Sequence, residues 1–181
     1  MMNWRIFNKK SLGFTLIELL VTTAILGFLA IVSAVIVSAV IKSQNKTEII
    51  NEVRGNGDLV IAKFERDVKG ASLIVRNNQR RLTLSYEDSP TVIWDCSTSN
   101  FTRNGAIVTN NDPIRGVRIA LTTTLPFTRE CSFTVAPTPK TPGIPQIATL
   151  DFTLDQRSTA QRQEFQIRED FEVTVGSRAY Q

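Results

Sequence analysis

Lys9-Lys10-Ser11-Leu12-Gly13-Phe14-Thr15-Leu16-Ile17-Glu18-Leu19-Leu20-Val21 is the stretch on which the reading turns. It opens an apolar run over residues 14–41 in which Glu18 is the one ionisable side chain. As a helix rising about 1.5 Å per residue, that run spans roughly 42 Å. A hydrocarbon core needs about 20 residues, so the run can cross it and still protrude. Arg5, Lys9 and Lys10 precede the run without any acid. They should hold that end in the cytoplasm and place everything after residue 41 outside. A carboxylate this near the start of a membrane helix costs a few kcal/mol unless it is neutralised or paired, so Glu18 points to a function beyond anchoring.

The same residues resemble the class III signal of type IV prepilins and pseudopilins: a short basic leader, Gly13, the methylatable Phe14, then Glu18. The resemblance implies that a membrane-embedded prepilin peptidase cuts between Gly13 and Phe14 and N-methylates the new Phe14 amine. It further implies that Glu18 counters the amine of a neighbouring subunit, since two charges in an apolar filament core are tolerable only as partners. Gly13 suits a tight protease site because it has no side chain. The implied partners are prepilin peptidase, other pilins or pseudopilins in a helical filament, and an inner-membrane assembly platform. The implied place is the cytoplasmic (inner) membrane, single-pass, with the C-terminal domain outside the cytoplasm in a pilus or pseudopilus.

The chain departs from the family pattern at Val35, where many major pilins carry a helix-bending proline, and at Thr22 and Thr23, usually aliphatic. Hydroxyls can bond back to helix carbonyls, so the threonines do not forbid a span. The missing proline makes a minor subunit the closer fit. A secretory signal peptide is the competing reading, because Val32-Ser33-Ala34 and Val37-Ser38-Ala39 look like small-residue cleavage sites. That reading asks for an apolar region of about 7–15 residues, and this one is longer and contains Glu18.

Beyond residue 41 the chain turns polar but keeps a helical period. Ile49, Val53, Gly57, Val60, Phe64, Val68 and Ala71 form one stripe, widened by Ile50 and Ile61. Glu65 and Lys69 are a favourably oriented i, i+4 pair. Gly55-Asn56-Gly57 weakens the helix by roughly 1–2 kcal/mol relative to alanines, and Asp58 could cap a restarted helix. The stripe keeps phase across the glycines, which predicts one helix, bent or loosened there. Residues 61–72 (Ile61-Ala62-Lys63-Phe64-Glu65-Arg66-Asp67-Val68-Lys69-Gly70-Ala71-Ser72) resemble the helix end of J-type minor pseudopilins and related minor pilins.

After residue 72 the period becomes two. Residues 72–76 and 80–87 flank Asn77-Asn78-Gln79 as a hairpin. Alternation continues through Leu82/Leu84/Tyr86, Val92/Trp94/Cys96, Val117/Ile119/Leu121 and Cys131/Phe133/Val135. Leu150/Phe152/Leu154, Phe165/Ile167 and Phe171/Val173/Val175 follow. These are half-buried antiparallel strands. Their order, with Ile93-Trp94-Asp95, Phe101-Thr102-Arg103 and the ending over residues 173–178, loosely resembles the J-type architecture. Cys96 and Cys131 share phase with Trp94 and Phe133, so both thiols should point inward. They are either a disulfide, worth roughly 2–4 kcal/mol for a loop of this length, or two reduced core cysteines. Four of the chain's 7 prolines (Pro137, Pro139, Pro142, Pro145) predict an extended, exposed segment nearer polyproline II than strand.

The expected fold is therefore α+β and pilin-like: a long N-terminal helix, transmembrane in its first half, packed on an antiparallel β domain. Its parts are a cleaved leader (1–13), the transmembrane half (14–41), an amphipathic continuation (42–71) and an extracytoplasmic β-rich domain (72–181). Removing the leader's three cations from the chain's 21 leaves 18 against 17 acids, which gives no bulk electrostatic case for nucleic acid. The chain has no histidine and 2 cysteines, which removes the commonest general base and any four-ligand zinc site built on them. No phosphate loop or nucleophile–base pair is visible. Arg76, Arg80 and Arg81 read as a solvated hairpin rather than phosphate ligands. Glu87-Asp88 and Asn110-Asn111-Asp112 offer oxygens without fixing a calcium ligand count.

The function expected is a structural subunit of a type IV pilus, type II secretion or competence filament. No enzymatic activity, cofactor or metal is expected. The alternative is a single-pass membrane-anchored or secreted extracytoplasmic module that binds a ligand or DNA.

Overall fold

The computed structural model describes residues 14–113, 115–122, 128–142, 144–157 and 167–178. The leader and Phe165 lie outside the described residues. The chain forms two compact units, Met1–Gln44 and Asn45–Gln181, and α1 (Leu16–Gly70) contributes to both.

In the first unit the helix exposes its whole apolar surface, with Phe14, Leu16, Ile17, Leu20, Phe28 and Ile31 all facing outward. It is long and apolar enough to cross a membrane by length and composition. The core helix of a soluble protein would bury such a surface, and a patch this large marks a membrane or a partner.

In the second unit the predicted stripe faces inward. Val53, Gly57, Val60, Phe64, Val68 and Ala71 are buried, and Ile49, Ile50 and Ile61 pack against them. The helix runs unbroken through Gly55-Asn56-Gly57, so Asp58 caps nothing. Two contacts account for that triplet. Asn56 is buried, donates to the Glu52 carbonyl (2.8 Å) and accepts the Asn110 N–H (2.7 Å). Gly57 lies against the ring of Phe171, where a Cβ would stand 2.2 Å from Cε1.

The helix ends at Gly70, and Tyr86 supplies part of the cap by donating to the Asp67 carbonyl (3.0 Å). Terminal carbonyls have no partner within a helix, so an outside donor stabilises the last turn. Burial first, and then the charge of Asp67, push the Tyr86 phenol up to about 12. The Asp67 carboxylate is 5% exposed, receives Arg103 at both oxygens (2.6 and 3.1 Å) and takes Trp94 Nε1–H (3.0 Å). That fork is what makes a buried acid in the last turn tolerable, because the helix dipole there disfavours a negative charge.

Five strands follow the helix as an antiparallel meander, β1 (Leu73–Asn78), β2 (Arg81–Ser85), β3 (Val92–Asp95), β4 (Thr102–Arg103) and β5 (Ala106–Ile107). The β1–β2 turn falls at Gln79-Arg80 rather than at Asn77-Asn78-Gln79. Asn77 and Asn78 stay in β1, whose register shifts between Arg76 and Asn78. Asn104 (φ 52°) and Gly105 (φ 80°) make the tight turn joining β4 to β5, a conformation that favours this Asn-Gly pair.

The second sheet is built on β8 (Ile147–Gln156). It pairs with β7 (Cys131–Ala136) along 147–152, with β6 (Val117–Ile119) along 154–156, and with β9 (Arg168–Gly176) along 147–155. Leu121 leaves β6 and forms an isolated bridge with Arg129. The proline-rich segment is not regular polyproline II, since Ala136–Pro137 and Thr138–Pro139 are cis.

Gln146 joins the sheets. Its side-chain amide accepts the Ile74 N–H (2.8 Å) and donates to the Ile74 carbonyl (3.1 Å), standing in for a strand beside β1. Phe133 N–H also donates to the Gln79 carbonyl (2.7 Å). The core lies where helix and both sheets meet. Phe64 sits edge-on to Trp94 (5.7 Å) and tilted to Phe133 (5.9 Å), so one helical side chain touches each sheet. Fully burying a side chain of that size stabilises by about 1.5–3 kcal/mol.

Candidate functional site

The site begins with residues of the first helical turn. Phe14 is 79% exposed and Gly13 lies outside the described residues. Thr15 stands at the N-cap and Glu18 at the third helical position. The Thr15 N–H donates to Glu18 Oε2 (2.9 Å), the Thr15 hydroxyl donates to the same oxygen (2.9 Å), and the Glu18 N–H donates to Thr15 Oγ1 (3.3 Å). This is a capping box, in which two otherwise orphaned N–H groups are satisfied reciprocally. The Thr-x-x-Glu spacing before an apolar run carries that signal in the sequence, where Glu18 is read only as a partner for a neighbouring amine. The two roles are compatible, because the box occupies Oε2.

Farther along, Thr22 Oγ1 donates to the carbonyls of Glu18 (2.9 Å) and Leu19 (3.0 Å), Thr23 to Leu20 (3.0 Å) and Ser33 to Leu29 (2.8 Å). Each hydroxyl is thus satisfied within the helix, as an apolar surrounding requires.

Cys96 and Cys131 form a disulfide with a Cα–Cα distance of 6.3 Å, and both are buried. It ties the residue after β3 to the first residue of β7, one from each sheet.

The oxygen-rich loop around Asn110 is occupied with holding the helix. Asn110 Nδ2 donates to Glu52 Oε1 (2.7 Å), Asp112 Oδ1 accepts the Arg115 N–H (2.8 Å), and Arg115 reaches Glu48 (3.4 Å). Among the described residues no group of three His, Cys, Asp or Glu side chains is placed to hold a metal ion.

No curated protein and no solved structure matches the chain. Residues 8–34 match the prokaryotic N-terminal methylation motif, a segment that contains Gly13, Phe14 and Glu18. A methylation signal that runs into one long helix, with that helix packed through its second part on antiparallel sheets, is a type IV pilin-like arrangement.

Proposed function

We propose that the chain is a precursor cut between Gly13 and Phe14 by prepilin peptidase, methylated on the Phe14 amine, and held in the cytoplasmic membrane by residues 14–41. Its β-rich domain then lies outside the cytoplasm, and the subunit enters a type IV pilus, type II secretion or competence filament as a minor component. The work of extension comes from a separate cytoplasmic ATPase.

The observation that carries this reading is the methylation motif at residues 8–34, set on a helix whose first part, up to residue 41, exposes its apolar surface and has Glu18 at its start as its one carboxylate. Glu18 supports it further. One carboxylate oxygen serves the capping box, and Oε1 has no hydrogen-bond partner among the described residues. An oxygen so placed suits a neighbour's Phe14 amine, and each of the two charges makes the other tolerable in an apolar filament.

Gly13→Val is the test. It should leave a full-length precursor in the membrane when the peptidase is present, read by intact mass. Normal maturation of that variant would overturn the proposal.

A further inference from the structure

Arg80 and Arg129 line one groove with Cys131 of the disulfide, and Arg118, Arg157 and Asp155 lie within electrostatic reach of Arg129. Arg118 is taken by Asp155 (Nε–Oδ1 2.6 Å). Arg129 donates to the Ile119 carbonyl (2.9 Å), and Arg157 donates to Asn100 Oδ1. The Nε–H groups of Arg80 and Arg157 are buried and have no partner among the described residues. Burial first, and then the charges of Arg118, Arg157 and Arg80, hold the Arg129 guanidinium below its usual range, with Asp155 acting the other way.

Three further cations within reach of the partly buried Arg129, against Asp155 alone, are an unfavourable arrangement, and leaving buried donors unbonded adds to it. An oxyanion answers both. Guanidinium forks match its geometry, and charge-assisted bonds to it are about twice as strong as neutral ones. There is room, because Arg80 and Arg129 line a groove of about 910 Å³. Glu130, Asp151, Asp170 and Glu172 line it too, with Arg168, which pairs with Glu130, so the groove as a whole is not basic and an anion fits only at its Arg80 and Arg129 end. Asp170 is engaged by the Thr153 hydroxyl (2.6 Å).

We infer that Arg80 and Arg129 bind a phosphate-type oxyanion at the disulfide side of this groove, with Arg118 and Arg157 adding to the positive field around Arg129. The ion is either free or the phosphate monoester of a larger molecule. The site is independent of how the N-terminus is processed.

The test is thermal unfolding of the full chain in detergent micelles with inorganic phosphate at low millimolar concentration, sodium chloride holding ionic strength constant. Low concentration keeps the general salting effect of phosphate negligible. Wild type should show a saturable rise in Tm, since a ligand of the folded state stabilises it by mass action. Arg129→Gln and Arg80→Gln should each weaken phosphate at least tenfold. Without phosphate, Arg80→Gln should melt at or above the wild-type temperature, because it removes repulsion and its side chain has no described partner to lose. A parallel titration with glycerol 3-phosphate separates the sources. Equal binding supports a monoester ligand, and binding of inorganic phosphate alone supports a free ion. Absence of a saturable rise in wild type, or the same rise in both variants, would overturn the inference.

Discussion

Two glycines in one helix should respond to the same substitution with opposite signs. At Gly55 an added Cβ meets nothing within 4 Å, so Gly55→Ala only removes backbone freedom from the unfolded chain. That should stabilise by about 0.5–1 kcal/mol. At Gly57 the Cβ would stand 2.2 Å from Phe171 Cε1, 2.3 Å from Cζ and 2.7 Å from Cδ1, where ordinary contact begins near 3.4 Å. The ring must retreat by about 1 Å, as in other overpacked cores. It has little freedom to do so, because it is stacked on Phe152 at 5.0 Å, which in turn packs edge-on against Phe101 at 4.9 Å. Overpacking of this kind costs about 1–3 kcal/mol, which exceeds the propensity gain of about 1 kcal/mol. Gly57→Ala should therefore lose about 1 kcal/mol, up to about 2. For a domain of this size 1 kcal/mol moves Tm by roughly 3–5 °C, so the two variants should separate clearly on either side of wild type. The assay is thermal unfolding of the full chain in detergent, with Phe171→Leu in the Gly57→Ala background. The smaller side chain should remove most of the penalty, a coupling that a double-mutant cycle isolates. If Gly57→Ala raises Tm as Gly55→Ala does, the reasoning about Phe171 is wrong.

Glu18→Leu should be cleaved after Gly13 normally yet enter filaments or minor-subunit complexes poorly. Losing one member of a buried pair costs about 3–5 kcal/mol, two orders of magnitude or more in association. Co-purification with partner pilins beside a cleavage assay checks it, and wild-type levels in both would remove the pairing role. Arg103→Ala should destabilise the second unit by about 3–5 kcal/mol, because it strands the Asp67 carboxylate in the core. Asp67→Asn, which keeps an acceptor for Trp94, should cost less, and chemical denaturation ranks the two. Tyr86 has a folded-state pKa of about 12 against 10.0 unfolded, so its contribution is fully present below pH 10 and is lost as pH rises toward 12. Tyr86→Phe should flatten the alkaline limb of the stability curve between those values, and an unchanged limb would count against the burial of the phenol.

The signal, the long helix and the alternating strands were all legible in the order of residues, because each rests on neighbours within one turn or one strand. A single carboxylate in an apolar run, a stripe repeating at helical spacing, and inward phases for Trp94, Cys96, Cys131 and Phe133 need no distant partner to be recognised. The Thr15–Glu18 box was equally local, and was missed because Glu18 already had a role assigned to it. The β1–β2 turn was misplaced by about two residues, since Asn77 and Asn78 have turn chemistry but sit in a strand whose bulge absorbs them.

The rest belonged to the tertiary structure. Gly57 reads as a helix weakness until Phe171, 114 positions on, occupies the space its side chain would fill. Asp67 looks like an exposed acid in a charged helix end until Arg103 and Trp94 close over it. Gln146 follows a proline-rich segment and gives no sign that its amide completes β1. The arginines at 80, 118, 129 and 157 are too scattered in the chain to suggest a cluster. Periodicity is a property of contiguous residues and survives in one dimension. A contact between residues far apart in the chain exists only once the fold has brought their surfaces together and excluded water from between them.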